Sequence, residues 1–253
     1  MKRFFFALVL FVTTSLFAQT NILTQYSTID ALLKGIYEGE FSVKDIKEHG
    51  NLGIGTFNYL DGEMIICDGN VYQMNYDGNL YLMHDTIKSP FVTVVPFETT
   101  TKTEYTNEMD FKGLTAELDK KLGSENYFYA FKITGTFKYM QTRSVPKQQK
   151  PYIPLAEVVK NQKVFEYKEI EGTIVGFKSP SIVKGLNVPG YHLHFISTKA
   201  NAGGHILDLK TDKITVEIDQ ITNFNLVLPE NDTFAKEVFN QDLSSDLHKV
   251  EKK

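Results

Sequence analysis

Three Asp-Gly dipeptides, Asp61-Gly62, Asp68-Gly69 and Asp77-Gly78, punctuate a short stretch in which apolar and polar side chains alternate. Asp-Gly supplies the positive φ angles of a tight turn between antiparallel strands, and period-two alternation on both sides marks strands with one buried face. A meander over residues 55–60, 63–67, 71–74 and 80–83 is therefore expected. An antiparallel sheet with one apolar face needs cover. Ser27-Thr28-Ile29-Asp30 and Ser42-Val43-Lys44-Asp45 read as helix openings, with Ser27 and Ser42 as caps and Gly39 and Gly50 as stops.

Further strands follow. Residues 91–97 read as one that Pro90 and Pro96 place at an edge or cut short. Leu114, Leu118 and Leu122 mark a helix over 112–122, and the alternation from Tyr127 to Tyr139 marks a long strand. Continued past Gly135, that alternation puts Arg143 on the apolar face, unless a bulge at the glycine shifts it. Three prolines within 145–154 form a boundary, and Pro154 opens a helix through Leu155, Val158 and Val159. Strand patterns resume from Phe165, and the tail after Pro229 reads helical. Without a regular βαβ alternation the class is α+β, as two sheet-based lobes with flanking helices. The N-terminal lobe, 19–148, is a mixed or antiparallel sheet; the C-terminal lobe, 149–253, is β-barrel-like and metal-binding, with a returning tail.

Residues 1–18 read as an export signal: Lys2 and Arg3, an apolar run from Phe4 to Phe17, then Ala18 at the cleavage point. The expected location is periplasmic or secreted, with no membrane attachment after cleavage. Losing Lys2 and Arg3 takes the formal charge from -4 to about -6, which speaks against nucleic acid as a partner. Cys67 is the chain's one cysteine, so no internal disulfide staples it, and Cys67 reads as a small buried apolar residue. Nineteen Phe and 13 Tyr supply the core instead.

The chemistry concentrates in Gly190-Tyr191-His192-Leu193-His194-Phe195 and Gly203-Gly204-His205. Histidines at i and i+2 of a strand share a face about 6.6 Å apart, and a turn over 199–204 brings His205 back beside them. Three imidazoles with an open position are the ligand set of a catalytic zinc, whereas structural zinc is usually closed by four ligands including cysteines. Iron, copper, nickel and manganese-like sites also accept imidazole, and ordinary half-buried strand histidines are the plainer reading. His49, His84 and His248 lack ligand spacing.

These blocks, together with Leu52-Gly53-Ile54-Gly55-Thr56-Phe57, Leu60-Asp61-Gly62-Glu63, Arg143-Ser144-Val145-Pro146 and Asn187-Val188-Pro189, resemble the alpha-acetolactate decarboxylase family over essentially the whole mature chain. The resemblance implies zinc (Zn2+) on His192, His194 and His205, with Glu63 and Arg143 as active-site residues beside it and Thr56 near the same pocket. It also implies that Glu251, from the extreme C-terminal tail, returns to the site, and that the chain is a homodimer. The implied reaction is decarboxylation of 2-acetolactate to acetoin and carbon dioxide through a zinc-stabilised enediolate. Acetolactate suits such a site. The bond to its carboxylate lies beside a ketone that takes up the electrons, so no thiamine or pyridoxal is needed. Arg143 would hold the carboxylate or the enediolate through paired hydrogen bonds. Glu63, Glu251, or Arg143 through a metal-bound water, would relay the proton.

Two other readings compete. A metal hydrolase or cupin-like oxygenase shares the glycine-led His-x-His, but no glutamate follows His194 at the short spacing a cupin uses, and neither His-Glu-x-x-His nor Gly-x-Ser-x-Gly occurs. An exported metal- or ligand-binding module would carry the same triad without turnover.

Overall fold

The computed structural model describes residues 21–251, so the export signal expected over 1–18 lies outside the described residues. Strand β1 (Ile22–Tyr26) runs through Ser27, at φ 64°, into α1 (Ile29–Leu33). Thr28 rather than Ser27 caps this helix, accepting from Ala31 N, because Thr28 has the extended backbone of a cap while Ser27 is held at a positive φ. The helix stops before Gly35, at φ 87°, well ahead of Gly39. After β2 (Phe41–Ser42), α2 (Val43–Lys47) carries the full expected box: Ser42 Oγ accepts from Asp45 N, and the Asp45 carboxylate accepts from Ser42 N.

The meander is β3 (Leu52–Thr56), β4 (Glu63–Cys67), β5 (Asn70–Met74) and β6 (Leu80–Leu82), all antiparallel. Asp68-Gly69 is a two-residue turn with both φ angles positive, 50° and 78°. The first strand starts and ends earlier than expected, because a single 3-10 turn over Asn58–Leu60 replaces its final residues. Past β7 (Lys88–Ser89) comes β8 (Phe91–Val95), which pairs with β1 on one side and β3 on the other. It is an interior strand, not an edge, but it is cut short as the second alternative had it, ending at Val95 ahead of Pro96. Pro90 and Pro96 bracket it from outside, where no ladder hydrogen bond is required of them.

The chain continues as β9 (Thr101–Tyr105), α3 (Phe111–Asp119), β10 (Phe128–Ser144), α4 (Leu155–Val158), β11 (Lys163–Ser179), β12 (Gly190–Ser197), β13 (Gly203–Ile221), β14 (Asn223–Val227), α5 (Asp232–Lys236) and α6 (Ser244–Glu251). One sheet runs β14-β1-β8-β3-β4-β5-β6, parallel only between β1 and β14. The other runs β10-β11-β12-β13, and β13 pairs back onto β10, closing a ring that carries β9 on β13. This is the barrel-like lobe. The sheets do not divide along the chain at 148: β9 and β10 come from before it, and β14 returns from after it to the first sheet. Pairing partners, not the proline-rich segment, decide sheet membership.

Alternation gives each strand two destinations. On β12, Leu193 and Phe195 join a cluster with Phe131, Phe137 and Ile174 of the ring and Leu114 and Leu118 of α3. Ile196 faces the other way, into a core shared with Leu52, Ile54 and Ile65 of the first sheet. By the same alternation His192 and His194 share the face of Ile196. On β4, Met64 and Ile66 pack against Val43 and Ile46 of α2, which leaves Glu63 on the Ile65 face. Thr56 follows Leu52 and Ile54 on β3 in the same way. A third cluster, from α1, α4 and Val250 of α6, covers the end of this interlayer space.

Gly204 sits where β13 meets β10. Its φ is +123°, and a Cβ there would lie 2.5 Å from the Arg143 carbonyl oxygen. Gly204→Ala is expected to cost about 1–3 kcal/mol of stability through strain alone, read as a lowered denaturation midpoint together with weakened metal retention, since His205 follows immediately.

Candidate metal centre

Ring closure brings the histidines together. β12 and β13 pair antiparallel with His194 opposite His205, and β13 and β10 pair with His205 opposite Arg143. The expected turn between them holds: Ser197 Oγ accepts from Asn201 N and Ala202 N. Ring centroids of the three imidazoles lie 5.1, 5.1 and 5.4 Å apart, and one nitrogen from each lies within 4.8 Å of the others.

His194 shows how such a ligand is oriented. Its Nδ1 lies 2.8 Å from the Met64 carbonyl oxygen, which places the ring proton on Nδ1 and leaves the Nε2 lone pair free. That Nε2, like His205 Nδ1, is buried without a hydrogen-bond partner. Burial is the largest cause holding all three rings far below the usual histidine range, with His192 at about 3. The Arg143 guanidinium adds to it for His192 and His205, and His192 does so for His194. The rings are neutral donors at any ordinary pH. Orphaned nitrogens on neutral, converging imidazoles fit a divalent cation.

Two carboxyls flank them. Glu63 Oε1 accepts from Arg143 Nη1 at 2.8 Å, and its Oε2 is 3.7 Å from His194 Nε2. Glu251 reaches the site from α6, with Oε2 3.7 Å from His205 Nε2 and 3.9 Å from His192 Nε2. Burial raises both carboxyls from 4.5 to about 7 against the pull of Arg143, and Glu251 adds to the rise at Glu63. A divalent cation would pull them back down. Arg143 also donates from Nη2 to Val250 O at 3.3 Å, and its Nε is buried without a partner.

Thr56 Oγ1 donates to Gly62 O at 2.7 Å and lines the same void, of about 40 Å³, as Glu63, Arg143, His192, His194 and Glu251. On the other side of Glu251 and His205 lies a larger cavity of about 680 Å³, between α6, α3 and β12. Every residue the sequence singled out for the site is brought into it. Sequence reasoning missed Met64, Val250 and the apolar walls of the void. Met64 and Val250 act through carbonyl oxygens, for which no side-chain pattern exists.

A family model described as alpha-acetolactate decarboxylase matches residues 23–241. The alpha-acetolactate decarboxylase of Methanosarcina mazei is 47% identical over 92% of this chain and 81% of its own length. That of Brevibacillus brevis is 44% identical over 92% of this chain and 82% of its own. The crystal structure of the Bacillus subtilis strain 168 enzyme superposes with a TM-score of 0.90 at 39% identity, covering 92% of this chain and 100% of that one. The match of the family model ends before α6, so the position of Glu251 is a finding of the structure.

Replacing any one of His192, His194 and His205 by Ala is expected to drop bound metal well below stoichiometric, measured by elemental analysis after dialysis. In the metal-free protein, Glu63 titrates near 7 when folded and near 4.5 when unfolded. Its neutral form therefore contributes stability that is complete below 4.5 and lost as pH rises through 7. The histidines act with the opposite sign, their share being complete above 6.5 and lost as pH falls below it, a range that overlaps that of Glu63. Glu63→Gln should remove the carboxyl's share of the slope, at most about 1.4 kcal/mol per pH unit, in denaturant titrations across that window.

Proposed function

This chain belongs to the alpha-acetolactate decarboxylase family, and from that premise we propose that it converts 2-acetolactate to acetoin and carbon dioxide in the space between its two sheets. As a carboxy-lyase it needs an electron sink, and the substrate's own ketone provides one. The observation that carries this reading is three neutral, converging imidazoles beside a buried Arg143–Glu63 pair.

Zinc, held by His192, His194 and His205 with Glu251 beside them, would supply Lewis acidity to the substrate's hydroxyl and ketone oxygens. The remaining work falls to side chains. Arg143, nearly fully buried, binds the carboxylate and then faces the negative charge that the departing carbon dioxide leaves behind. Glu63 fixes the guanidinium by accepting from Nη1, while the Val250 carbonyl accepts from Nη2. Loss of carbon dioxide from C2 leaves an enediolate, and one proton delivered to C2 gives acetoin. Glu63, beside Arg143, and Glu251, beside His192 and His205, are the carboxyls placed to deliver that proton. Thr56, its own proton committed to Gly62 O, offers an acceptor oxygen to the substrate hydroxyl.

In this reading the chain is exported after cleavage near Ala18, on the pattern of residues 1–18, and acts as a homodimer, which the resemblance to the family implies. Among the described residues no helix is long and apolar enough to cross a membrane.

The purified mature protein should form acetoin from racemic acetolactate, lose that activity to a chelator and regain it with zinc. A folded, zinc-loaded protein that forms none would overturn the reading in favour of a metal-binding module. Arg143→Ala should keep its zinc and lose about 10²–10³ in kcat; an unchanged rate would remove Arg143 from the reaction.

A further inference from the structure

We propose that Val250 sets the size of the alkyl groups this site accepts, an inference that rests on the decarboxylase reading above. Two contacts fix where Val250 stands. Its carbonyl accepts from Arg143 Nη2 at 3.3 Å, and the next residue places its carboxylate 3.7 and 3.9 Å from two of the imidazoles. Its side chain, 4% exposed, is a wall of the void of about 40 Å³ that Arg143, Glu63, Thr56 and His192 also line.

The void is small. One water needs about 10–15 Å³ of such space, so there is room for only a few small groups before a wall must move. The polar groups around it answer to the substrate's carboxylate, hydroxyl and ketone. What remains of acetolactate is two methyl groups, one on C2 and one on the ketone carbon, and what remains of the wall is apolar, made by Ile29, Leu32, Leu60, Phe91, Val145, Leu155 and Val250. Of these, Val250 alone is bonded through its backbone to Arg143 and adjoins Glu251, so it is the apolar wall residue tied to the reacting groups. A β-branched side chain is also stiff about χ1, and cannot swing aside to admit a longer chain.

The class of substrate is thus a 2-hydroxy-3-oxo acid whose alkyl arms are limited by the last turn of α6. In a tight apolar pocket one methylene changes discrimination about 10- to 200-fold. Val250→Ala should raise kcat/KM for a homologue carrying ethyl in place of either methyl, relative to acetolactate itself, by about tenfold or more, and Val250→Ile should lower it. Rates are compared within one preparation of the zinc-loaded, full-length mature protein. Incomplete folding or metal loading then cancels, and a merely structural role for Val250 leaves the ratio unmoved. Ratios for both homologues within about twofold of the parent, in either active variant, would overturn the proposal. If V250A does not fold, V250I decides alone. Failure of the unsubstituted protein to form acetoin would instead overturn the reading on which the proposal rests.

Discussion

Three imidazoles, two carboxyls and a guanidinium are packed into the space between two sheets, and the cost of taking them out of water governs the design of this molecule. Burial is the largest cause that drives the imidazoles to neutrality and, without a metal, pushes Glu63 and Glu251 up to about 7. Arg143 is buried among them. Its bond to Glu63 ties the ring to the first sheet through a buried ion pair. Such a pair is weak evidence for stability, because desolvation offsets most of the attraction. What it secures is geometry: Arg143 can be oriented only when the sheets are in register. A divalent cation would supply the positive charge that the carboxyls and orphaned imidazole nitrogens lack.

The scaffold that holds these groups is strong, and the element that closes it is weaker. β10 and β13 pair almost end to end, and Phe131, Phe137 and Phe195 fill the ring they close. By contrast α6 buries only Val250, with Leu243 and Leu247 half-covered beside it. Fully burying one such side chain is worth about 1.5–3 kcal/mol. The tail leading to α6 is fastened by Lys34–Glu237 and Lys184–Asp242, ion pairs at or near the surface worth about 1 kcal/mol or less each. Docking of α6 therefore leans on what its last turn meets: the Arg143 guanidinium and the metal-site nitrogens.

Much of this was legible before any coordinates. Asp68-Gly69 makes the turn its chemistry demands, Ser42 and Asp45 form their box, and His192, His194 and His205 meet where period two and a short turn place them. These are local features, governed by φ preferences and alternation that a few residues carry within themselves. Errors arose where a neighbour outcompeted a local preference. Ser27, bonded through its N–H to Val227 at the end of β1, is held at a positive φ, so the cap falls to Thr28. The prolines flanking β8 read as an edge or an early break; the strand does end early, at Val95, yet lies between β1 and β3, because prolines outside a strand do not limit its pairing.

Local pattern by itself determined the strands, the turns and the facing of each histidine, and the family motifs added the remaining members of the site. The alignment of β10 opposite β13 had to wait for the tertiary structure, since three register shifts beyond Gly135 intervene before Arg143 meets His205. So did the enclosure of the void by Val250, which depends on α6 returning across more than a hundred residues of chain to the Arg143 guanidinium. The physical reason is the same in both cases. A side chain's direction follows from its own strand, but what it points at follows from which segments find it favourable to share a core.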